Sequence, residues 1–185
     1  VDALNSRRLC GLPNLAVSDW TGFDALKANV MLIGQAVGED EAAARIVQDI
    51  DERLAEVQRR LEGVTPKEVL PLSIFGPEGT TPFFIAPTSF KYDLLRKAGA
   101  RSAGDRIGIN RLVRASIEQV VQLDPEYMVL SDWAGTGADA YRAFLSHPAM
   151  QAVTAVAEGN VLVLPYRELW GSLDAVDGVE KVARW

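Results

Sequence analysis

Aromatic and cationic side chains gather where three apolar segments of the sequence end. "SIFGPEG" contains Phe75 and then a Gly/Pro loop, "LSDWAGTG" places Trp133 beside glycines, and "LPYRELWGS" holds Tyr166, Arg167 and Trp170. In open α/β sheets, ligands collect at the carboxyl ends of the strands. Aromatic rings stack on flat faces, and a guanidinium is a planar, permanently charged donor. These five residues therefore predict a binding site for a large, partly apolar, anionic chelate.

Each of these residues also has a simpler structural explanation. Phe75 could be a core residue, and Trp133 fits a core or a site position equally well. The loop that holds Tyr166, Arg167 and Trp170 favours a site, because three such side chains follow one strand within five residues. A tyrosine can ligate ferric haem iron, which keeps haem among the possible ligands.

The patterns of catalytic and metal sites do not occur in this sequence. The chain has one histidine and one cysteine, so a Cys/His metal site and an internal disulfide are both excluded. His147 precedes a proline and fits a helix cap or a surface position, and Cys10 fits a semi-buried thiol. A P-loop, a G-x-G-x-x-G pattern and a Ser/His/Asp order are absent as well. We predict a binding protein without catalytic residues, resident metal or cofactor.

Two helices precede the first of these strands. Residues 23–37 carry apolar side chains at alternating spacings of three and four, which predicts an amphipathic helix closed by Gly38. Residues 39–62 combine a narrow apolar stripe with acid-before-base pairs four residues apart, and Gly63 ends them. The long solvated face of this second helix predicts a strut that lies along a surface.

From Glu68 onward, apolar strands alternate with helices. Strands are predicted at 68–76, 83–86, 127–132 and 160–165. Helices are predicted from Thr88, from Ser116, over 137–153 and over 172–185, and 97–108 is predicted as a loop. Strands that are apolar almost throughout indicate a mainly parallel sheet covered on both faces. The predicted fold class is α/β, a Rossmann-like lobe with a mainly parallel sheet flanked by helices, preceded by a long linker helix.

Composition excludes two classes of partner. The 185 residues are 48% hydrophobic, enough for a real core, and the formal net charge of −6 argues against nucleic acid. The apolar runs are all far shorter than the roughly 20 residues needed to span a bilayer. Residues 1–20 lack an apolar signal core, so we expect any export signal to lie outside this sequence.

One carboxylate stands apart in the segment "RASIEQVVQLDPEYMVLSDW", residues 114–133. Ser116 and Gln119 form a capping box that fixes a helix start. Glu118 lies in the first turn of this helix and points away from its apolar face. An acid at this position gains about 0.3–1 kcal/mol from the helix N-terminus, which is a sufficient local explanation.

The order of these elements resembles that of the solute-binding proteins of ABC importers for iron-siderophores, haem and cobalamin. The resemblance runs from about Asn14 to the end, and "SIEQVVQLDPEYMVLSDW" is its sharpest element. "SFKYDLLRKAGA" resembles the family's helix after its ligand-side loop, and "HPAMQAVTAVAEGNVLVLP" resembles its run into the final strand. In that family one rigid helix joins two α/β lobes, and the ligand lies in the cleft between them. A glutamate near a helix start on each lobe docks onto arginines of the permease.

The resemblance implies a domain division and a function. Residues 1–38 would belong to the end of the N-terminal lobe, 39–62 to the backbone linker helix, and 63–185 to the C-terminal ligand-binding lobe. The protein would be periplasmic or extracytoplasmic, capture an iron-siderophore, haem or corrinoid-type ligand, and meet the membrane only through an ABC permease. Glu118 matches the docking glutamate of the C-terminal lobe, whose N-lobe counterpart would lie upstream of Val1.

Two alternatives stay open from the residues themselves. A flavodoxin-like enzyme would need catalytic groups at the strand ends, where mainly aromatic residues and one arginine occur. A stand-alone α/β interaction domain would keep the lobe fold without a role in transport. We also expect self-association, because the apolar stripe of residues 23–37 would be exposed in an isolated second lobe.

Overall fold

The computed structural model describes residues 21–75, 81–85, 87–109, 111–132 and 141–185. The α-helices in these ranges are α1 (Phe23–Val37), α2 (Asp40–Arg60), α3 (Phe90–Lys97), α4 (Ile117–Leu123), α5 (Arg142–Leu145), α6 (Thr154–Ala157) and α7 (Ala175–Arg184). The strands are β1 (Lys67–Phe75), β2 (Thr81–Phe84), β3 (Ala100–Ser102), β4 (Val113–Arg114), β5 (Tyr127–Asp132) and β6 (Val161–Pro165). Short 3-10 helices cover Ala103–Ile107, Pro148–Ala152 and Tyr166–Glu168. The strand expected at 14–19 and Cys10 lie outside the described residues.

A tight hairpin joins α1 to α2. Gly38 adopts a left-handed conformation with φ of 77°, and its N–H donates to the carbonyl of Gln35, which ends α1. Gly34 lies against Ala43 so closely that a Cβ at position 34 would overlap the Ala43 methyl group. The two helices therefore meet backbone to side chain at this crossing.

The long helix α2 buries a single stripe. Ala43, Ile50, Leu54 and Val57 are buried, while most of its remaining side chains are exposed or half-buried. Acidic residues occupy its first turn and two arginines its last turn, which complements the helix dipole. The helix packs on α1 and α7, and its buried stripe joins the core beneath the sheet. The narrow apolar stripe and long solvated face predicted for this helix are present, whereas its role as a strut stays a prediction.

The sheet has the strand order β4-β2-β1-β5-β6, and β3 pairs with the beginning of β1. β1, β5 and β6 run parallel, with Ser73 opposite Ser131 and Asp132 opposite Pro165. β2 runs antiparallel to both β1 and β4. The α/β class is confirmed, whereas "mainly parallel" is only partly correct, because the sheet is mixed.

Helices cover both faces of the sheet and form two separate cores. On one face, Val69, Val129 and Leu164 pack against side chains of α1, α2, α3 and α7. On the other face, Leu72, Met128 and Leu130 pack against α4 and the segments around α5 and α6. In this three-layer arrangement the carboxyl ends of β1, β5 and β6 share one edge of the sheet.

Several local predictions differ from the structure. The strand predicted at 83–86 is β2 and covers Thr81–Phe84 instead. The segment 97–108 was predicted as a loop, but it contains β3 and a 3-10 helix. The helix predicted over 137–153 is interrupted within its described part, where α5 ends at Leu145 and a 3-10 helix starts at Pro148. Proline has no N–H to donate and disfavours helical geometry in the residue before it, here His147.

Candidate ligand-binding site

The predicted site residues lie at or just after the carboxyl ends of three strands. β1, β5 and β6 are neighbouring parallel strands, so their carboxyl ends meet at the same edge. β1 ends at Phe75, and Tyr166 begins the 3-10 helix directly after β6. Trp133 follows β5 but lies outside the described residues, as does the side chain of Phe75. The described part of the site is therefore the loop after β6.

Tyr166 and Trp170 form a pair of stacked rings, which we call the ring platform. Their centroids are 5.3 Å apart and their planes differ by 26°. Trp170 is 38% exposed, whereas Tyr166 is half-buried. Burial raises the pKa of the Tyr166 phenol to about 12, so this group is neutral at physiological pH. The platform offers an aromatic surface to a ligand rather than a phenolate charge.

Arg167 lies in the same loop but is already paired. Its Nε atom is 3.0 Å from a carboxylate oxygen of Asp174, and both side chains are largely exposed. An anionic ligand would have to compete with Asp174 for this guanidinium. Arg167 therefore adds a screened positive charge beside the platform.

An apolar groove borders the platform loop. It encloses about 340 Å³ between α1, α2 and residues 171–173. Its walls include Leu26, Val30, Ile33, Ile46 and Leu173. We call this cavity the α1–α2 groove, and it begins one residue after Trp170.

A buried lysine beneath the same sheet edge was not anticipated. Lys91, in the first turn of α3, is 2% exposed, and its Nζ lies 2.6 Å from the hydroxyl oxygen of Ser73. It also bonds the hydroxyl of Ser131, the residue paired with Ser73 on the neighbouring strand. Burial lowers the pKa of Lys91 to about 7. The signal in the sequence was the serine near the end of each strand, since both interrupt otherwise apolar runs.

Glu118 is exposed in the first turn of α4. The Ser116 hydroxyl accepts from the backbone N–H of Gln119, and the side-chain oxygen of Gln119 accepts from the backbone N–H of Ser116. The predicted capping box is therefore present. The pKa of Glu118 is lowered by the Ser116 hydroxyl, by its own backbone N–H and by His147. α4 leads through three residues into the start of β5 and packs on that strand. Its first turn, with Glu118, therefore lies toward the carboxyl edge.

The described ranges show neither a metal-binding cluster nor a membrane-spanning helix. They contain no group of three or more His, Cys, Asp or Glu side chains arranged to hold a metal ion. Among the helices described, none is long and apolar enough to cross a membrane.

The architecture defines an open α/β lobe with a ring-lined loop at the carboxyl edge, the place where this class of fold binds ligands. The family model for periplasmic binding proteins matches residues 8–168, and the chain belongs to that family. This match confirms the predicted resemblance and places the chain in a family of binding proteins rather than of enzymes. The search of curated protein sequences found no match.

Solved structures share the fold at low sequence identity. An ABC-type Fe3+-hydroxamate transport protein from Saccharomonospora viridis is 21% identical, with a TM-score of 0.77 over 92% of this chain and 58% of its own. The periplasmic heme-binding protein RhuT from Roseiflexus is 18% identical, with a TM-score of 0.77 over 90% and 63%. CeuE from Helicobacter pylori with Ni(II) bound is 19% identical, with a TM-score of 0.79 over 98% and 57%. The chain thus spans roughly three fifths of the length of these proteins.

Proposed function

We propose that this chain is the C-terminal part, with the linker helix, of the extracytoplasmic solute-binding component of an ABC importer. Its ligand would be an iron-siderophore, haem or a corrinoid-type chelate, held in a cleft between two lobes. The family membership supports a solute-binding role, and the neighbours named above are described as Fe3+-hydroxamate, heme and Ni(II) binders. In this proposal residues 1–38 belong to the first lobe, 39–62 to the linker helix and 63–185 to the second lobe.

The ring platform is the observation that carries the ligand class. Flat rings with offset stacking bind extended conjugated or chelate surfaces better than small polar solutes. Arg167 supplies positive charge beside the rings, which suits an anionic chelate even though Asp174 screens it. Phe75 and Trp133 follow neighbouring strands and would extend this surface.

Delivery would depend on Glu118. The capping box fixes the helix start that carries this exposed carboxylate, and the lowered pKa of Glu118 favours its ionised form. Charged groups at the edge of an interface contribute more to steering and register than to net affinity. We therefore assign Glu118 to docking on an arginine of the permease rather than to ligand binding. The membrane would be contacted only through that permease.

Tryptophan fluorescence tests the ligand class. The 185-residue chain and a form extended by a first lobe would be titrated with ferric haem, ferrichrome and cyanocobalamin. Because these chromophores absorb in the range of tryptophan emission or quench by contact, binding close to Trp170 should lower the emission. Glucose and glutamate serve as small polar controls. If none of the three probes changes the emission of the two-lobed form, the proposed ligand class is wrong.

The alternative of a stand-alone interaction domain makes a different prediction. Such a domain would not bind any of the three chelates and would bind another protein through the exposed residues of α1. An enzyme of flavodoxin-like fold is disfavoured by the family match.

A further inference from the structure

A buried carboxylate in the platform loop is paired with a partly exposed lysine of α7. Glu168 is located between Tyr166 and Trp170 in the chain and is 4% exposed. Both of its carboxylate oxygens are 2.6 Å from Nζ of Lys181 on α7. The carboxylate is therefore bound by one cation, and the two rings lie on either side of it in sequence.

The backbone of the same loop is pressed onto α7. A Cβ at Gly178 would overlap the carbonyl oxygen of Glu168, so only glycine allows this approach. Leu169 is buried in the same core as the apolar residues of α7, which adds a third contact for the loop. The chain between the two rings thus has three fixed points: a salt bridge, a backbone contact and a buried leucine.

The pair is sensitive to the loss of either member. A buried carboxylate that loses its cation retains the cost of desolvation without the compensating attraction. Glu168 can respond by taking up a proton or by turning out toward water, and turning out would rotate the short 3-10 helix that starts at Tyr166. The rings at both ends of this segment would then lose their present spacing.

We propose that Lys181 and Glu168, with Gly178, are positioning residues that set the ring platform for the ligand. They fix the loop on α7 and so determine the spacing and tilt at which Tyr166 and Trp170 face the cleft. The inference rests on the proposed function for the role of the platform, but not for its geometry. The two can therefore be tested separately.

The geometric part is tested without ligand. The near-ultraviolet circular dichroism of the 185-residue chain minus that of its Trp170→Phe variant isolates the signal of Trp170 in its stack. We expect this difference spectrum to lose most of its intensity in a Lys181→Met background and to return with Lys181→Arg. Arg184→Met is the matched control, since Arg184 is on the same helix and pairs with Glu180 rather than with the loop.

A second variant covers the case in which Lys181→Met does not fold. Gly178→Ala leaves both charges in place but forces the Glu168 carbonyl away from α7. It should reduce the same difference spectrum. An undiminished difference spectrum in folded Lys181→Met or Gly178→Ala would overturn the inference, whatever the ligand is.

The binding part uses ferric haem, ferrichrome and cyanocobalamin as probes. For whichever probe the parent binds, Lys181→Met should raise Kd about tenfold, equivalent to about 1.4 kcal/mol. Lys181→Arg should restore most of the affinity, and Arg184→Met should not change it. A weakened spectrum with unchanged Kd would overturn the positioning role. A parent that binds none of the probes would count against the proposed function, while the spectra still decide the geometry.

Discussion

The guanidinium of Arg53, midway along α2, donates from Nε to the carboxylate of Glu180 on α7 at 2.8 Å. The same guanidinium donates from Nη2 to Asp177, one turn earlier on α7, at 2.5 Å. These two carboxylates raise the pKa of Arg53, so its charge is permanent. One side chain of α2 thus bonds two carboxylates of α7.

Removing this tie should loosen the attachment of α2. Arg53→Met keeps the aliphatic stem but leaves two acids facing each other, and we expect the free energy of unfolding to fall by about 1 kcal/mol. The figure is modest because Arg53 and Asp177 are partly exposed. Urea denaturation monitored by far-ultraviolet circular dichroism measures it. Arg45→Met, at a far more exposed pair with Glu41, should have almost no effect. Equal effects of the two substitutions would contradict this assignment.

Lys91 makes stability depend on pH in the alkaline range. Its pKa is about 7 when folded and near the ordinary 10.5 when unfolded. Between these values the unfolded chain binds a proton that the folded chain does not, so stability rises with pH. The contribution is smallest below pH 7 and complete above pH 10.5.

We therefore expect Lys91→Met to change how stability responds to pH. The unfolding free energy of the parent, measured relative to that of the variant, should rise by on the order of 1–3 kcal/mol between pH 7 and pH 9.5. Urea titrations at the two pH values provide the measurement, with Lys97→Met at the other end of α3 as control. A constant difference between parent and Lys91→Met would mean that Lys91 is not neutral in the folded protein.

The two rings of the platform should contribute differently to binding. Because the Tyr166 phenol is held neutral, we expect its ring rather than its oxygen to matter, so Tyr166→Phe should keep the affinity for ferric haem. Trp170→Ala removes the exposed partner and should weaken binding about tenfold, or about 1.4 kcal/mol. Trp185→Phe, in the distant contact with Tyr127, is the control. A changed visible spectrum of bound haem in Tyr166→Phe would instead indicate ligation of the iron by the phenol.

Glu118 should be needed for uptake but not for ligand capture. Glu118→Lys in the two-lobed protein reverses the charge that we assign to docking, so uptake through the permease should fall while Kd for the chelate stays constant. Glu126→Lys, an exposed acid just beyond the other end of α4, is the matched control. Uptake that is unaffected by Glu118→Lys, or reduced equally by both variants, would remove the docking role.

The exposed apolar residues of α1 should cause self-association. Ile33 is 44% and Val37 66% exposed, and both line the α1–α2 groove. We expect the 185-residue chain to show a mass above that of a monomer in light scattering at micromolar concentration. Ile33→Lys combined with Val37→Lys should lower it, whereas Val64→Lys, exposed elsewhere, should not. A monomeric parent would contradict this expectation.

Much of the fold was readable because it rests on local periodicity. The bounds predicted for α1 match the structure, and α2 differs by one residue at its start and two at its end. The antiparallel position of β2 was not readable, because strand direction is set by pairing across the sheet and not by apolar content. β3 was not predicted for the same reason, because its three residues become extended only by pairing with β1.

The candidate site was predictable only in part. Tyr166 and Trp170 were found because aromatic residues directly after a strand are unusual, but their stacking depends on a turn whose shape the sequence does not reveal. Lys91 resembles a surface lysine in sequence, and its burial follows from the way α3 lies on β1 and β5. Glu168 was missed because its partner Lys181 is thirteen residues away on a helix predicted only as amphipathic.

At the crossing of α1 and α2, Gly34 rests on Ala43 with no space for a methyl group between them. Neither helix can slide along the other without separating that contact, and the turn at Gly38 is too short to absorb a displacement. Through the pairs of Arg53 with Asp177 and Glu180, this hairpin is also joined to α7, the helix that carries Lys181. We therefore expect α1, α2 and α7 to resist displacement as one unit.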